Sequence, residues 1–432
     1  MLRNGVLGLL CLLPFSSMNC DNTVALDTTL PQLTDVYVSG VCPAGEGGGV
    51  DKLNLSVVLL NQGNLGNESD NLLPTSRVKK ERRNVGEIFE DTSIDNLVSF
   101  NRPARADQDA PNTTTNSYIQ EADASGPGKG VALKPRQLVF EYTGGSSDDS
   151  RDHLVLLVLD QSGSLVGKIP NMPPDPNQAT DFTNQRITFF KQFIQNLPKE
   201  YALSLITFND RFTDYLSKGE VTSDPNSTSQ PLLNRDIIED RLDSLTSAME
   251  REGGTPLKEA IKDTVAFVNE YKNDYRISVI LFTDGIGELG DTSPSQDVDL
   301  FAKASELAMS NVPVHVLDLQ PPATVDPQFR GRSIDLSDVA CATGGDYIFV
   351  KNSNEFTNSK RLSPILQNRI VGRWILKTDT DLNDNQLVPP DEDYLLSTDL
   401  KVNVGSVSVV DSLTLSSANN GTSDNRIWFY KY

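Results

Sequence analysis

A chain of 432 residues with 38% hydrophobic and 22% charged side chains has room for two or three domains, each with a sizeable core. Asp and Glu number 59 against 38 Lys and Arg, a formal net charge of −21, which argues against a nucleic-acid binder needing a basic stripe to neutralise phosphates. The basic cluster Arg77-Val78-Lys79-Lys80-Glu81-Arg82-Arg83 lies in polar surroundings and reads as a solvated loop.

Met1-Leu2-Arg3-Asn4 followed by the apolar stretch 5–15 reads as a secretory leader, too short to span a bilayer. It ends in Ser16-Ser17-Met18-Asn19-Cys20, which resembles a bacterial lipoprotein signal, with Ser17 where leucine is usual and Asn19 where a small residue is. That resemblance implies a lipid on Cys20 and a membrane association through this anchor rather than through a transmembrane helix. The alternative is ordinary cleavage after Thr23-Val24-Ala25, giving a free periplasmic or secreted protein. If Cys11 leaves with the leader and Cys20 is lipidated, Cys42 and Cys341 remain, and an exported compartment permits them to pair. Two separate thiols are the other reading.

After the leader (1–20), the segment 21–150 reads as strand and loop. Strands are expected over 35–41 and 53–60, separated by the flexible Gly45-Glu46-Gly47-Gly48-Gly49. Polar sequence to about 130 is expected to be mostly loop, broken by apolar patches at Ile88-Phe89 and Leu97-Val98. Another strand is expected at 137–142, and the Gly/Ser/Asp run 144–152 marks a boundary.

From 152 to 373, strand and helix patterns alternate. Strands are expected at 154–159, 201–208, 276–282, 313–319 and 347–350. Helices are expected at 183–197, 237–249, 256–271, 300–309, 336–343 and 356–370. Such alternation implies an α/β unit with a parallel sheet covered on both faces. In 374–432 the pattern returns to strands: 374–377, 394–397, 401–404 with 407–410, and 426–430. Neither β flank fills a sandwich alone, so the N- and C-terminal strands are expected to pair into one antiparallel β-sandwich with the α/β unit inserted between them. Two independent β modules are the alternative.

The chemistry concentrates where the strand 154–159 ends. Asp160, Ser162 and Ser164 place three oxygen-bearing side chains at alternate positions after an unbroken apolar run, at the carboxyl end where open α/β sheets hold their ligands. Gly253-Gly254-Thr255-Pro256 puts a hydroxyl at a tight turn opening a helix, and Asp284 ends another apolar strand. Two carboxylates and three hydroxyls suit a hard divalent cation that keeps some of its water. At these five residues the sequence resembles the von Willebrand factor A family over about half the chain. Asp160, Ser162 and Ser164 match the Asp-x-Ser-x-Ser motif of that family's metal-ion-dependent adhesion site, and Thr255 and Asp284 its distant threonine and aspartate. The resemblance implies Mg²⁺, with Mn²⁺ and Ca²⁺ as the other candidates. It implies direct coordination by Ser162 and Ser164, direct or water-mediated coordination by Thr255, and largely water-mediated roles for Asp160 and Asp284. One coordination position would be left for an Asp or Glu carboxylate of a partner protein. In the family, movement of the last helix can switch affinity, which points here to 356–370.

Enzymatic readings lack candidates. Gly163-Ser164-Leu165-Val166-Gly167-Lys168 is one residue short of a phosphate loop and is followed by Ile169, and no G-x-S-x-G elbow occurs. The two histidines, His153 and His315, flank or occupy apolar strands outside any H-E-x-x-H context and read as structural. The expectation is an exported, cell-envelope adhesion module. A scaffold with a purely structural metal and a carbohydrate- or matrix-binding secreted factor are the alternatives, and the insertion 169–179 beside the motif is a candidate for shaping partner choice.

Overall fold

The structure is a computed structural model that describes residues 33–43, 52–61, 72–73, 98–101, 118–121, 133–142, 150–167, 173–209, 231–246, 255, 257–284, 300–320, 334–358, 362–380, 394–404, 407–419 and 426–430. The leader, Cys20, the basic cluster 77–83, Ile88-Phe89, Gly253-Gly254 and Pro256 lie outside these residues.

The chain opens with strands β1 (Leu33–Pro43) and β2 (Lys52–Asn61), then the short β3 (Leu72–Leu73), β4 (Val98–Asn101) and β5 (Tyr118–Glu121), and then β6 (Leu133–Tyr142). β3, β4 and β5 fall inside the stretch expected to be mostly loop. Their local patterns are short, and partners distant in sequence make them strands. Next come β7 (Asp152–Asp160), α1 (Gln185–Asn196), β8 (Ala202–Phe208), α2 (Arg235–Ser244), α3 (Leu257–Tyr271) and β9 (Tyr275–Thr283). α4 (Leu300–Met309), β10 (Val314–Leu319), α5 (Ile334–Thr343), β11 (Tyr347–Val350), α6 (Glu355–Asn358) and α7 (Leu362–Val371) complete the α/β part. The single helix expected over 356–370 is thus α6 and α7, with 359–361 outside the described residues. β12 (Gly372–Thr380), β13 (Tyr394–Val404), β14 (Val407–Asn419) and β15 (Arg426–Tyr430) end the chain. Here 394–397 and 401–404, expected as separate strands, form the one strand β13, which pairs along its length with β14.

The central sheet has the order β11-β10-β9-β7-β8, and each adjacent pair is parallel. Along β7, alternate side chains enter opposite cores, which is why the run reads as continuously apolar. Val155, Leu157 and Leu159 pack with Phe190, Phe193 and Ile194 of α1, Ile238 of α2 and Ile365 of α7. Leu154, Leu156 and Val158 pack with Ile261 and Val265 of α3, Ala304 of α4 and Val339 of α5. Each such fully buried aliphatic side chain contributes about 1.5–3 kcal/mol relative to exposure. At the β8 edge, Leu232 forms an antiparallel bridge to Leu203.

The other strands make two antiparallel sheets, and both draw on the two ends of the chain. One has the order β1-β2-β12-β6, with the C-terminal β12 between two N-terminal strands. In the second, β15-β14-β13-β4, the N-terminal β4 and β5 both pair with β13. The sheets touch through β1 against β14 and β15. Gly372 is the Cα partner of Tyr142, so the α/β part leaves and rejoins the β-rich part at one point.

β1 also ties the two parts together. Cys42 and Cys341 form a disulfide between β1 and α5, with Cα atoms 5.5 Å apart and an S–S distance of 2.09 Å. Three residues away, the Arg369 guanidinium on α7 pairs with Asp346 and donates to the hydroxyl of Ser39, all three being buried. Ser39 Oγ in turn donates to Asp346 Oδ2 at 2.9 Å. Asp346 comes this close because residue 40 is glycine: a Cβ there would stand 2.8 Å from Asp346 Oδ1. Burial alone would raise Asp346, but the charges of Arg369, His315 and Arg373 outweigh it and hold the carboxyl below its ordinary range.

Candidate metal centre

β7 and β9 are neighbours, and Leu159 pairs with Phe282. The next residues are Asp160 and Thr283, and the register lets the Thr283 hydroxyl donate to Asp160 Oδ2 at 2.7 Å. Asp284 then follows at the carboxyl end of β9. The chain turns after Asp160 into a single 3-10 turn, Gly163–Val166, closed by Gly167 in a left-handed conformation. That turn is short because Asp160 Oδ1 accepts from the Ser162 N–H at 2.7 Å, an Asx-type bond that bends the backbone back over the strand end. It leaves the hydroxyls of Ser162 and Ser164 2.9 Å apart, joined by a hydrogen bond.

Asp284 is drawn into the same group by a residue that sequence reading did not single out. Thr180 donates its hydroxyl to Asp284 Oδ2 at 2.7 Å, while its N–H donates to the Ser164 carbonyl at 3.2 Å. Thr180 therefore bridges the first motif and the distant aspartate. No local pattern announces it, because it lies in the irregular stretch just before α1 and gains its meaning from register across space. Thr283, by contrast, is adjacent to Asp284 and lies on the strand, so it could have been found by following the pairing.

Behind the turn lies a second buried group. Asp181 and Arg186 form an ion pair at 2.7 Å with both side chains fully buried, and Arg186 Nη2 donates to Gln161 Oε1 at 3.0 Å. Asp181 also accepts from the N–H groups of Gln185 and Arg186, so it caps the first turn of α1. The guanidinium lies 5.9 Å from the centre of the Phe282 ring. α1, β9 and the Asp160–Ser164 turn thus meet at Arg186.

Of the expected site residues, Asp160, Ser162, Ser164 and Asp284 are gathered by these contacts. Thr255 is buried just before α3, where its carbonyl accepts from the Leu257 N–H at 2.8 Å. Burial, and after it the charge of Asp284, pushes Asp160 up from 3.8 to about 7, against the lowering effect of hydrogen bonds from Ser162 and Thr283. Two buried carboxylates therefore face one another at a strained electrostatic cost. Among the described residues, no three His, Cys, Asp or Glu side chains gather as a metal cluster. A cation here would be held by hydroxyls and two carboxylates.

The donors fit a hard divalent ion. Neighbouring ligands of octahedral Mg²⁺, with bonds near 2.1 Å, stand about 3 Å apart, and the two serine oxygens are 2.9 Å apart. A divalent charge would also offset the burial and the Asp284 repulsion that lift Asp160. Neither histidine takes part. His153 packs against Tyr201 with the rings tilted by 31° and their centres 4.7 Å apart, and His315 lies near the amino end of β10, away from the carboxyl end that carries Asp160 and Asp284. No helix among the described residues is long and apolar enough to cross a membrane.

No protein-family model and no curated protein matches the chain. Among solved structures, it is similar to the pilus adhesin SpaC of Lactobacillus rhamnosus GG in its open conformation, at 12% identity and a TM-score of 0.33, covering 90% of this chain and 55% of that one. It is similar to the manganese-loaded TRAP protein of Plasmodium vivax, at 13% identity and a TM-score of 0.29, covering 64% and 96%. It is also similar to VWA2, an ArnB paralog of Sulfolobus acidocaldarius, at 10% identity and a TM-score of 0.29, covering 73% of each chain. The chain spans about half the length of SpaC. With scores this low, the ground for the fold is the topology itself: an α/β unit, with its five-stranded parallel sheet covered by helices, joined to a β-rich part.

Proposed function

We propose that the chain is an exported adhesion protein, binding rather than catalytic, that holds Mg²⁺ at the carboxyl ends of β7 and β9 and through it binds an acidic residue of a partner protein. The observation that carries this reading is the pair of buried carboxylates, Asp160 and Asp284, tied to the backbone of the Ser162–Ser164 turn by the Asx-type bond and by Thr180, beside the paired hydroxyls of Ser162 and Ser164. Ser162 and Ser164 would hold the ion, with Thr255 beside them. Asp160 and Asp284 would balance its charge and orient the hydroxyls. The bound ion would supply a Lewis-acidic position for an incoming carboxylate, and few direct anionic ligands would keep it electrophilic. A lipid on Cys20 would hold the protein at the envelope.

Calorimetric titration of Mg²⁺ into the wild type and Asp284→Ala tests the site, with circular dichroism as the check on folding. Loss of Mg²⁺ binding in a folded variant is expected, and unchanged affinity would overturn the assignment. Arrayed peptides bearing one Asp or Glu, against their Asn and Gln counterparts, test the adhesion step. Binding is expected only for the acids and only with Mg²⁺. Equal retention in EDTA would sink a metal-bridged contact.

A further inference from the structure

A second polar site lies at the opposite, amino end of the parallel sheet. His315 is the second residue of β10 and is buried. Its Nδ1 accepts the Asp346 N–H at 3.2 Å, so the neutral ring carries its proton on Nε2. Burial lowers its pKa to about 4, with Asp346 opposing this and Arg369 and Arg373 adding to it, so the ring is neutral near pH 7. Nε2 has no hydrogen-bond partner among the described residues. A buried donor in that state favours any acceptor that can reach it.

Such a place is at hand. A cavity of about 240 Å³ is lined by His315, Arg373, Arg369, Glu141, Thr343 and Gly344, with a few neighbours. Thr343 is already committed, accepting from the Val314 N–H at 3.0 Å and donating to the Val339 carbonyl at 2.8 Å. Arg369 is held by Asp346 and Ser39. Arg373 reaches Glu141 at 3.3 Å, and half of that carboxylate side chain is exposed to water. The Arg373 guanidinium passes over Gly344, whose φ is +79°, and a Cβ there would stand 3.2 Å from Nη2. A glycine at this left-handed position both ends α5 and clears the way for the guanidinium. The cavity is thus lined by two arginines and a histidine against one glutamate that opens to solvent, with the partnerless Nε2–H of His315 buried at its wall.

We propose that this cavity binds a small oxyanion, a phosphate or a carboxylate, gripped by Arg373 and by the Nε2–H of His315. A guanidinium fork matches either group with two parallel hydrogen bonds. The exposed Arg373–Glu141 pair yields readily, since ion pairs in contact with water contribute little. The volume exceeds that of one phosphate or acetate ion, so the group can be the charged end of a larger molecule.

The test uses the full chain in EDTA, so that the outcome is independent of the metal centre at the other end of the sheet. The sequence has two histidines, so protein labelled with ¹³C only at histidine gives two imidazole signals, with His153 as the internal control. Titration with inorganic phosphate, and separately with acetate, into the tens of millimolar is expected to move the His315 signal saturably and leave His153 in place. Saturation by phosphate alone, by acetate alone or by both names the preferred anion. In Arg373→Gln the half-saturation point is expected to rise about tenfold or more. His315→Asn keeps an acceptor for the Asp346 N–H and removes the Nε2 donor, and its phosphate or acetate affinity, read by calorimetry, is expected to fall. A His315 signal that moves with neither anion overturns the proposal, as does a shift that Arg373→Gln leaves unchanged in a variant with native circular dichroism.

Discussion

Exchanging Asp160 for asparagine separates the two roles of the carboxylate pair, because it removes a charge while changing the shape very little. In the metal-free protein Asp160 sits at about 7 against 3.8 for an ordinary aspartate. The native state therefore binds more protons than the unfolded chain between pH about 4 and 7, so stability falls as pH rises through that window and levels off above it. A gap of about three pH units, at ~1.4 kcal/mol each, sets a ceiling of about 4 kcal/mol on the destabilisation at pH 8. Asparagine escapes it but offers one acceptor where the carboxylate offers two, for the Ser162 N–H and the Thr283 hydroxyl, and losing one such bond costs about 1.5–3 kcal/mol. A net gain of roughly 1–2 kcal/mol remains, a few degrees in melting temperature for a chain of this size. Thermal melts in EDTA at pH 5.5 and 8 should show the wild type weaker at pH 8 and Asp160→Asn nearly level and higher there. Added Mg²⁺ should raise the wild type at pH 8 far more than the variant. A variant no more stable than wild type in EDTA at pH 8 would refute the reasoning, since burial and the Asp284 charge would then not be destabilising the Asp160 carboxylate.

Thr180→Val keeps the side-chain shape and removes the hydrogen bond to Asp284, so Mg²⁺ affinity should fall about 10- to 100-fold by calorimetry with folding intact. The Cys42–Cys341 bond spans 299 residues, and the chain-entropy relation gives a ceiling of about 5–6 kcal/mol for a loop of that size, so Cys42→Ser and reduction of the wild type should lower the melting temperature by similar amounts. Arg369→Met leaves the buried Asp346 charge without its main counter-ion. About 3–5 kcal/mol of stability should be lost in urea titrations, and the double variant with Asp346→Leu should recover part of it.

Four residues of the candidate site, Asp160, Ser162, Ser164 and Asp284, were legible because they follow a general rule: an apolar run buried on both faces, then oxygens at its carboxyl end. The helices were legible for the same reason, as with the apolar positions of α1 and α3. Their ends were less so, and α2 stops at Ser244, five residues short of its expected end, because neighbouring packing sets where a helix stops. β3, β4 and β5 carry two to four residues each and owe their existence to β2 and β13. A strand that short has too few residues for its alternation to stand out from chance.

By itself, the sequence determined the sheet-and-helix alternation of the α/β part, the return to strands after residue 373, and which oxygens cap which strands. Those features depend on neighbours a few residues apart, and periodicity records them. Only the tertiary structure decided that β12 lies between β2 and β6, that Thr180 holds Asp284, and that Arg369, Asp346 and Ser39 meet in one buried cluster. It also decided that His315 Nε2 is buried with no hydrogen-bond partner among the described residues. These contacts join residues separated by up to 330 positions, and no composition or spacing encodes them. What selects them is the cost of leaving a charge or an N–H buried without a partner, and that cost arises only once the chain has closed around it.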